Sequence, residues 1–295
     1  MKKVFINSIV CCLVSLMLNS KQSFGQQITT SQLADSKAYI IKSGINKKEY
    51  ILNVLLPESY KATDSIKYPV LYVLDGKYST TSFYSMKETF ALAKELKDII
   101  FVTIDANVQS ESDWLMSRYT DLTPTSSPSS DTGIAKFFKL PLVPSGGASD
   151  FLTTIEKDII PFVERTYKTN NERGIFGHSL GGLFAAYCLL TKPYLFQKYS
   201  INSPSIWWDK SEMVAFADSV AKQNATIKAS VFISAGSLEG DFMIVPLNNF
   251  MQSLKNNFPG LTIKSKIFED ETHVSVVPAA GSRTLKVFYS QALNK

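Results

Sequence analysis

The stretch Gly177-His178-Ser179-Leu180-Gly181-Gly182 constrains this chain most, because a serine held between glycines at this spacing fits a sharp strand-to-helix turn with the hydroxyl at its apex. The pattern alone arises by chance in roughly one chain of this size in ten. Its surroundings decide the matter. Arg173 to Phe176 reads as a short buried strand, and Leu183 to Leu190 reads as a buried helix that stops before Pro193. Strand, tight turn and helix are the setting in which such a serine sits at a helix N-terminus, where backbone N–H groups favour a developing anion. The pattern therefore predicts Ser179 as a nucleophile.

A serine hydroxyl is weak at neutral pH and needs a base. The chain has two histidines, His178 and His273. His178 adjoins the serine in the turn, where neighbouring side chains diverge, so elimination leaves His273 as the base. The acid that orients it is expected between the strand ending at Ser234 and His273; Glu239 is the preferred candidate, with Asp241 next and Asp270 behind. An oxyanion hole requires two backbone donors: Leu180 N–H, directly after the serine, and an amide following the third strand, at Lys77 with Gly76 as the alternative. Trp207 and Trp208 are read either as lining of the substrate pocket or as cover for the core.

The order of elements agrees with this. Ala38 to Ile41 and Tyr50 to Leu56 form a predicted hairpin, and Pro69 to Asp75 and Ile99 to Ile104 are apolar runs suited to strands buried on both faces. Helical spacing follows in Phe83, Met86, Phe90 and Ala93, and resumes at Asp150, where Pro161 should kink or shorten it. Further strands are expected near Tyr199, at Val231–Ser234 and at Leu261–Phe268, with a helix from about Pro246. Residues 107–149 show no period and are read as a long loop walling the active site. The prediction is an α/β protein with a mostly parallel central sheet, helices on both faces and antiparallel N-terminal strands. Its candidate catalytic residues all lie just beyond the C-terminal ends of strands.

Composition bears mainly on location. Met1-Lys2-Lys3, an apolar run to Leu18 and small residues at Ser23 and Gly25 read as a secretory signal peptide over 1–25, leaving one domain over 26–295. Lipid attachment at Cys11 or Cys12 is the rival, and the apolar run is short for a membrane span. Cleavage removes three lysines and no acids, so the formal charge falls from +5 to +2 and the basicity that would suggest a nucleic-acid partner largely disappears. It also leaves Cys188 as the single thiol, a core residue, with no internal disulfide. The expected protein is exported, periplasmic or extracellular, without a membrane span after cleavage. With one histidine used as base, no metal or cofactor is implied.

Several segments together carry a family resemblance: Tyr68–Gly76 (YPVLYVLDG), Arg118–Pro124 (RYTDLTP), Gly146-Gly147-Ala148, Gly177–Gly182, Ser203–Trp208 (SPSIWW) and His273–Pro278 (HVSVVP). They resemble the putative-esterase family of α/β-hydrolases, which includes siderophore, feruloyl and acetyl-xylan esterases and mycolyltransferases, and the similarity runs from about residue 40 to the C-terminus. The resemblance implies the α/β-hydrolase fold, Ser179 as nucleophile, His273 as base, an acid between Gly236 and Glu239, and an oxyanion donor after Asp75-Gly76. Siderophore-type members lean on a Ser–His pair with a weak or displaced acid, which bears on Glu239. The expected activity is hydrolysis of a small-molecule or glycan-linked carboxylic ester through an acyl-enzyme. Acyl transfer by the same intermediate, or ligand binding without catalysis, are the alternatives.

Overall fold

A computed structural model describes residues 33–223 and 226–291. Eight strands form one sheet: β1 (Ser36–Lys42), β2 (Glu49–Leu55), β3 (Tyr68–Val73), β4 (Ile100–Ala106), β5 (Thr169–His178), β6 (Lys198–Asn202), β7 (Ala229–Gly236) and β8 (Leu261–Phe268). Their spatial order is β1-β2-β4-β3-β5-β6-β7-β8. β1 and β2 pair antiparallel, β2 meets β4 antiparallel, and every later pair is parallel. The switch at β2 follows from the short β1–β2 hairpin; the parallel strands need helical crossovers.

The apolar runs are buried on both sheet faces, and their period of two separates the faces. In β3, Val70 and Tyr72 join the larger core while Leu71 and Val73 join the smaller; in β7, Val231 and Ile233 face one way and Phe232 the other. The smaller core is closed by α1 (Gly76–Leu92) and α9 (Val276–Tyr289), through Phe83, Leu285 and Phe288. The larger is closed by α2 (Glu111–Asp121), α4 (Ala148–Thr154), α5 (Ile160–Thr166), α6 (Leu180–Thr191), α7 (Trp208–Lys222) and α8 (Asp241–Asn257). α6 is apolar on all sides because it is buried on all sides, and it carries Cys188 in its interior. Burial pushes that thiol well up, in keeping with a packing role. From Asp35 onward the described residues form one compact unit. The signal-peptide expectation and Cys11 and Cys12 fall outside the described residues.

Three local expectations need correction. The 107–149 segment is not a structureless loop: it holds α2 and α3 (Pro128–Phe138). Ser110 caps α2 by accepting from Asp113 N–H, Glu111 and Asp113 lie in its first turn, Arg118 lies in its last, and Pro128 opens α3. The apolar side chains of α3 are divided: Ile134 and Phe138 line a cavity and Phe137 is exposed, so no single stripe repeats to show a period. Around Pro161 the helix does not stop. A π-helical segment, Ile155–Ile159, joins α4 to α5 and widens the turn where proline would otherwise meet the preceding carbonyl. α8 starts at Asp241, so Pro246 lies inside it and its missing N–H forgoes one helical bond, to the carbonyl of Phe242.

Candidate active site

Strand β5 ends at His178 and α6 begins at Leu180, so a single residue, Ser179, makes the turn, with φ 60° and ψ −119°. A non-glycine residue rarely adopts this conformation, and it persists only where the surroundings enforce it. Gly177 shows how: a Cβ there would stand 2.0 Å from Gly181 O, so strand and helix approach this closely only without a side chain. Ser179 N–H donates to Asn202 O at 3.0 Å, and Asn202 Nδ2 donates to Gly177 O at 3.1 Å, which ties the turn to the end of β6. Ser234 Oγ donates to Asn202 Oδ1 at 2.8 Å, extending the tie to β7.

His273 reaches the serine from the loop after β8. Its Nε2 lies 2.9 Å from Ser179 Oγ, and its Nδ1 lies 2.8 Å from Glu239 Oε2. The loop is fixed by the end of β7: Leu238 N–H donates to Glu271 O at 3.0 Å, and a Cβ on Gly236 would fall 2.2 Å from that same oxygen. Glu239 has a fully buried side chain. Its Oε1 accepts from Ser203 Oγ at 2.5 Å and Gly236 N–H at 2.7 Å. Burial pushes the carboxyl up, but hydrogen bonds from His273, Ser203 and Gly236 outweigh it and hold the group below the usual glutamate value. An imidazole that donates Nδ1–H to this carboxylate leaves Nε2 free to accept the serine proton. Among the described residues, the three acid candidates separate clearly. Asp241 opens α8, Asp270 turns its backbone N–H towards Ser237 Oγ, and Glu239 bonds the imidazole.

His178 does not contact the serine hydroxyl, but it is not turned away from the site. Its ring packs on that of His273, with centroids 4.7 Å apart and planes inclined by 40°. Burial, then the neighbouring His273 and Arg118, lower its pKa to about 3, so it stays neutral.

The oxyanion donors divide. Leu180 N–H is the first amide of α6, without an intrahelical acceptor, and Leu180 shares the pocket with Ser179. Lys77 departs from expectation: its N–H is already donated to Asp105 Oδ2. Asp105 projects from the end of β4 and also accepts from Ala106 N–H at 2.9 Å and Trp114 Nε1 at 2.8 Å. Burial pushes Asp105 up to about 6, with the charge of Asp75 adding to it, and the three N–H donors partly offset the rise. Of the two candidates, Gly76, the first residue of α1, is the one whose N–H Asp105 does not take. Arg118 was not singled out individually from sequence, yet it braces this corner. It grips Asp75 with Nε at 2.6 Å and Nη2 at 3.0 Å, and Nη2 also donates to His178 O at 3.2 Å. The roles of Ser203 and Asp105 were missed as well; each lies at or just past a strand end, and Ser203 also opens the SPSIWW segment.

Ser179, Leu180 and His273 open onto a cavity of about 260 Å³, walled by Met116, Tyr119, Ile134, Phe138, Val143 and Trp207 among others. The two tryptophans divide accordingly. Trp207 lines the cavity and packs on Phe242 at 4.9 Å. Trp208 is 1% exposed, meets Tyr119 edge-on at 5.1 Å and donates Nε1–H to Thr125 Oγ1 at 3.2 Å, so it supports the wall from behind rather than lining it.

Comparison with known proteins identifies the family and the fold. The family model described as Putative esterase matches residues 43–257. Ferri-bacillibactin esterase BesA of Bacillus subtilis is 31% identical over 238 residues, 74% of this chain and 78% of its own length. The siderophore triacetylfusarinine C esterase of Aspergillus fumigatus is 28% identical over 224 residues, 73% of this chain and 72% of its own. Among solved structures, the BES protein from Bacillus cereus superposes with a TM-score of 0.72 at 32% identity, covering 88% of this chain and 97% of that one. Siderophore hydrolase EstB from Aspergillus nidulans gives 0.76 at 22% identity, over 89% and 98%, a likeness of fold.

Proposed function

The chain belongs to the Putative esterase family of α/β-hydrolases and is a carboxylic-ester hydrolase, and from that premise we propose that it is an exported serine esterase acting on siderophore-type esters through an acyl-enzyme on Ser179. The observation that carries the mechanism is the continuous hydrogen-bond relay Ser179–His273–Glu239 at the mouth of an apolar cavity. Ser179 Oγ attacks the ester carbonyl as His273 Nε2 takes its proton. Glu239 stabilises the imidazolium and holds the tautomer. The carbonyl oxygen, now an anion, is met by Leu180 N–H and by an amide at the start of α1, Gly76 in preference to Lys77. Collapse of the tetrahedral species breaks the C–O bond, and His273 returns the proton to the departing alcohol. Water, deprotonated by His273, then attacks the acyl-enzyme, and the second collapse releases the acid and restores Ser179.

The substrate class is supported by two relatives, the ferri-bacillibactin esterase and the triacetylfusarinine C esterase. Export is supported by the basic start and apolar run of residues 1–25; among the described residues no helix is long and apolar enough to cross a membrane. A fluorophosphonate probe tests the chemistry: it is expected to label Ser179 in the wild type and not in Ser179→Ala. Mass analysis after incubation with ferric and iron-free trilactone siderophores tests the substrate, and cleavage of simple aryl esters alone would overturn the siderophore assignment.

A further inference from the structure

The wall of the Ser179 cavity is mostly apolar, yet two of its residues carry buried polar atoms that no protein group satisfies. Asp131, on α3, is 6% exposed; its Oδ1 has no hydrogen-bond partner, and Oδ2 accepts only a long bond, 3.5 Å, from Ser145 N–H. Tyr119, on α2, is 6% exposed and its Oη is likewise unpartnered. Both residues line the cavity that contains Ser179 and His273. Buried polar atoms are ordinarily paired, and an unpaired carboxylate oxygen is among the least tolerable exceptions. No hydrogen bond joins the two residues, so neither satisfies the other. The charge of Asp131 does reach Tyr119, where it adds to burial in holding the phenol proton on.

We propose that Asp131 and Tyr119 form a specificity subsite in the Ser179 cavity, which selects an ester whose arm is apolar along its body and carries a hydrogen-bond donor. An ionised carboxylate only accepts, and a phenol both donates and accepts. A hydroxyl therefore fits both, donating to Asp131 and exchanging a bond with Tyr119. A protonated amine fits by donating to both oxygens. The apolar neighbours Met116, Ile134 and Phe138 exclude water from the arm, and the lining guanidinium of Arg118 is already engaged by Asp75. This inference rests on the assignment of Ser179 as nucleophile, because it takes the cavity to be the place where one arm of the ester lies.

The test compares aryl esters whose acyl arms, in graded lengths, end in methyl, hydroxyl or ammonium. At the best-fitting length the wild type is expected to favour a donor-ended arm over the methyl-ended one by about 10- to 100-fold in kcat/KM; which donor wins distinguishes hydroxyl from amine. Asp131→Asn should cut an ammonium preference most, and Tyr119→Phe, the gentler change, a hydroxyl preference. Affinities of the corresponding amides for Ser179→Ala read the same preference without turnover. Equal use of all arms by the wild type, or an unchanged preference in both variants, would overturn the subsite. Absence of fluorophosphonate labelling at Ser179 would instead strike the parent reading, and the amide affinities would still judge the subsite.

Discussion

On one side of the cavity, Ser179, His273, Glu239, Ser203 and Gly236 are joined by hydrogen bonds without a gap. On the other, α2 and α3 present Ile134 and Phe138 and leave Tyr119 Oη and Asp131 Oδ1 unpartnered. The first side is built from strand ends and tight backbone turns, and its positions are over-determined: Gly177 and Gly236 admit no Cβ, and the loops of β7 and β8 bond each other directly. The second is built from side chains on two helices, whose composition can change without disturbing the sheet. Chemistry is thus held by backbone geometry that few residues permit, and recognition by side chains that many sequences would permit.

Substitution at the serine divides the two sides most sharply. Ser179→Ala is expected to lower kcat by about 10⁴- to 10⁶-fold, while the melting temperature and the binding of substrate amides change little. Substantial residual hydrolysis would mean that another group supplies the nucleophile. Glu239→Gln comes next. Its carbonyl oxygen would still accept from Ser203 and Gly236, but the amide would then turn its NH₂ towards His273 Nδ1 and favour the tautomer protonated at Nε2, which cannot accept the serine proton. Single-turnover kinetics should show a fall of about 10²- to 10⁴-fold. A near-wild-type rate would reduce the relay to a Ser–His pair.

The same division explains what could be read in the chain. The elbow was legible because glycine spacing, a buried strand and an apolar helix must coincide to make it, and His273 followed because the histidine supply was so small. Glu239 stood among three carboxylates until the β7 and β8 loops were seen to cross-tie. The strands buried on both faces were legible as apolar runs; α2 and α3 were not, since they divide their apolar side chains among the core (Tyr119), the cavity (Met116, Phe138) and solvent (Phe137), and so keep no single helical stripe. The engagement of Lys77 N–H by Asp105 was invisible, because the two are brought together only by the pairing of β3 with β4. The close approach of His178 to His273 was also hidden, since divergence from the adjacent serine does not say where the ring goes.

That approach gives the catalytic side a pH signature. His178 is lowered from 6.5 to about 3 by burial first, so between those values the unfolded chain binds a proton that the native protein excludes. Its contribution to stability is complete above 6.5 and lost as the pH falls towards 3, by about 2 kcal/mol between pH 7 and pH 5. Glu239, held below its usual value, acts in the same direction lower on the scale: its contribution is present above the unfolded pKa and lost as pH falls through the folded one. Replacing His178 by Phe keeps the ring and removes the proton site. Denaturant titrations across this range should show a shallower acid limb in the variant, and an identical limb would show that His178 titrates normally.

The recognition side should respond more weakly and in a different parameter. Trp207 lines the cavity and rests on Phe242, whereas Trp208, one residue on, is enclosed behind Tyr119. Truncating Trp207 therefore removes contact area from the bound ester while leaving the relay and the core in place. The contact is made in ground state and transition state alike, so its loss should appear in KM rather than kcat. For a bulky aryl ester, Trp207→Ala is expected to raise KM about tenfold with kcat nearly constant, and to matter little for an acetyl ester too short to reach the indole. A fall in kcat for both esters would show that the wall helps position Ser179 and His273, and the separation of the two sides would then fail.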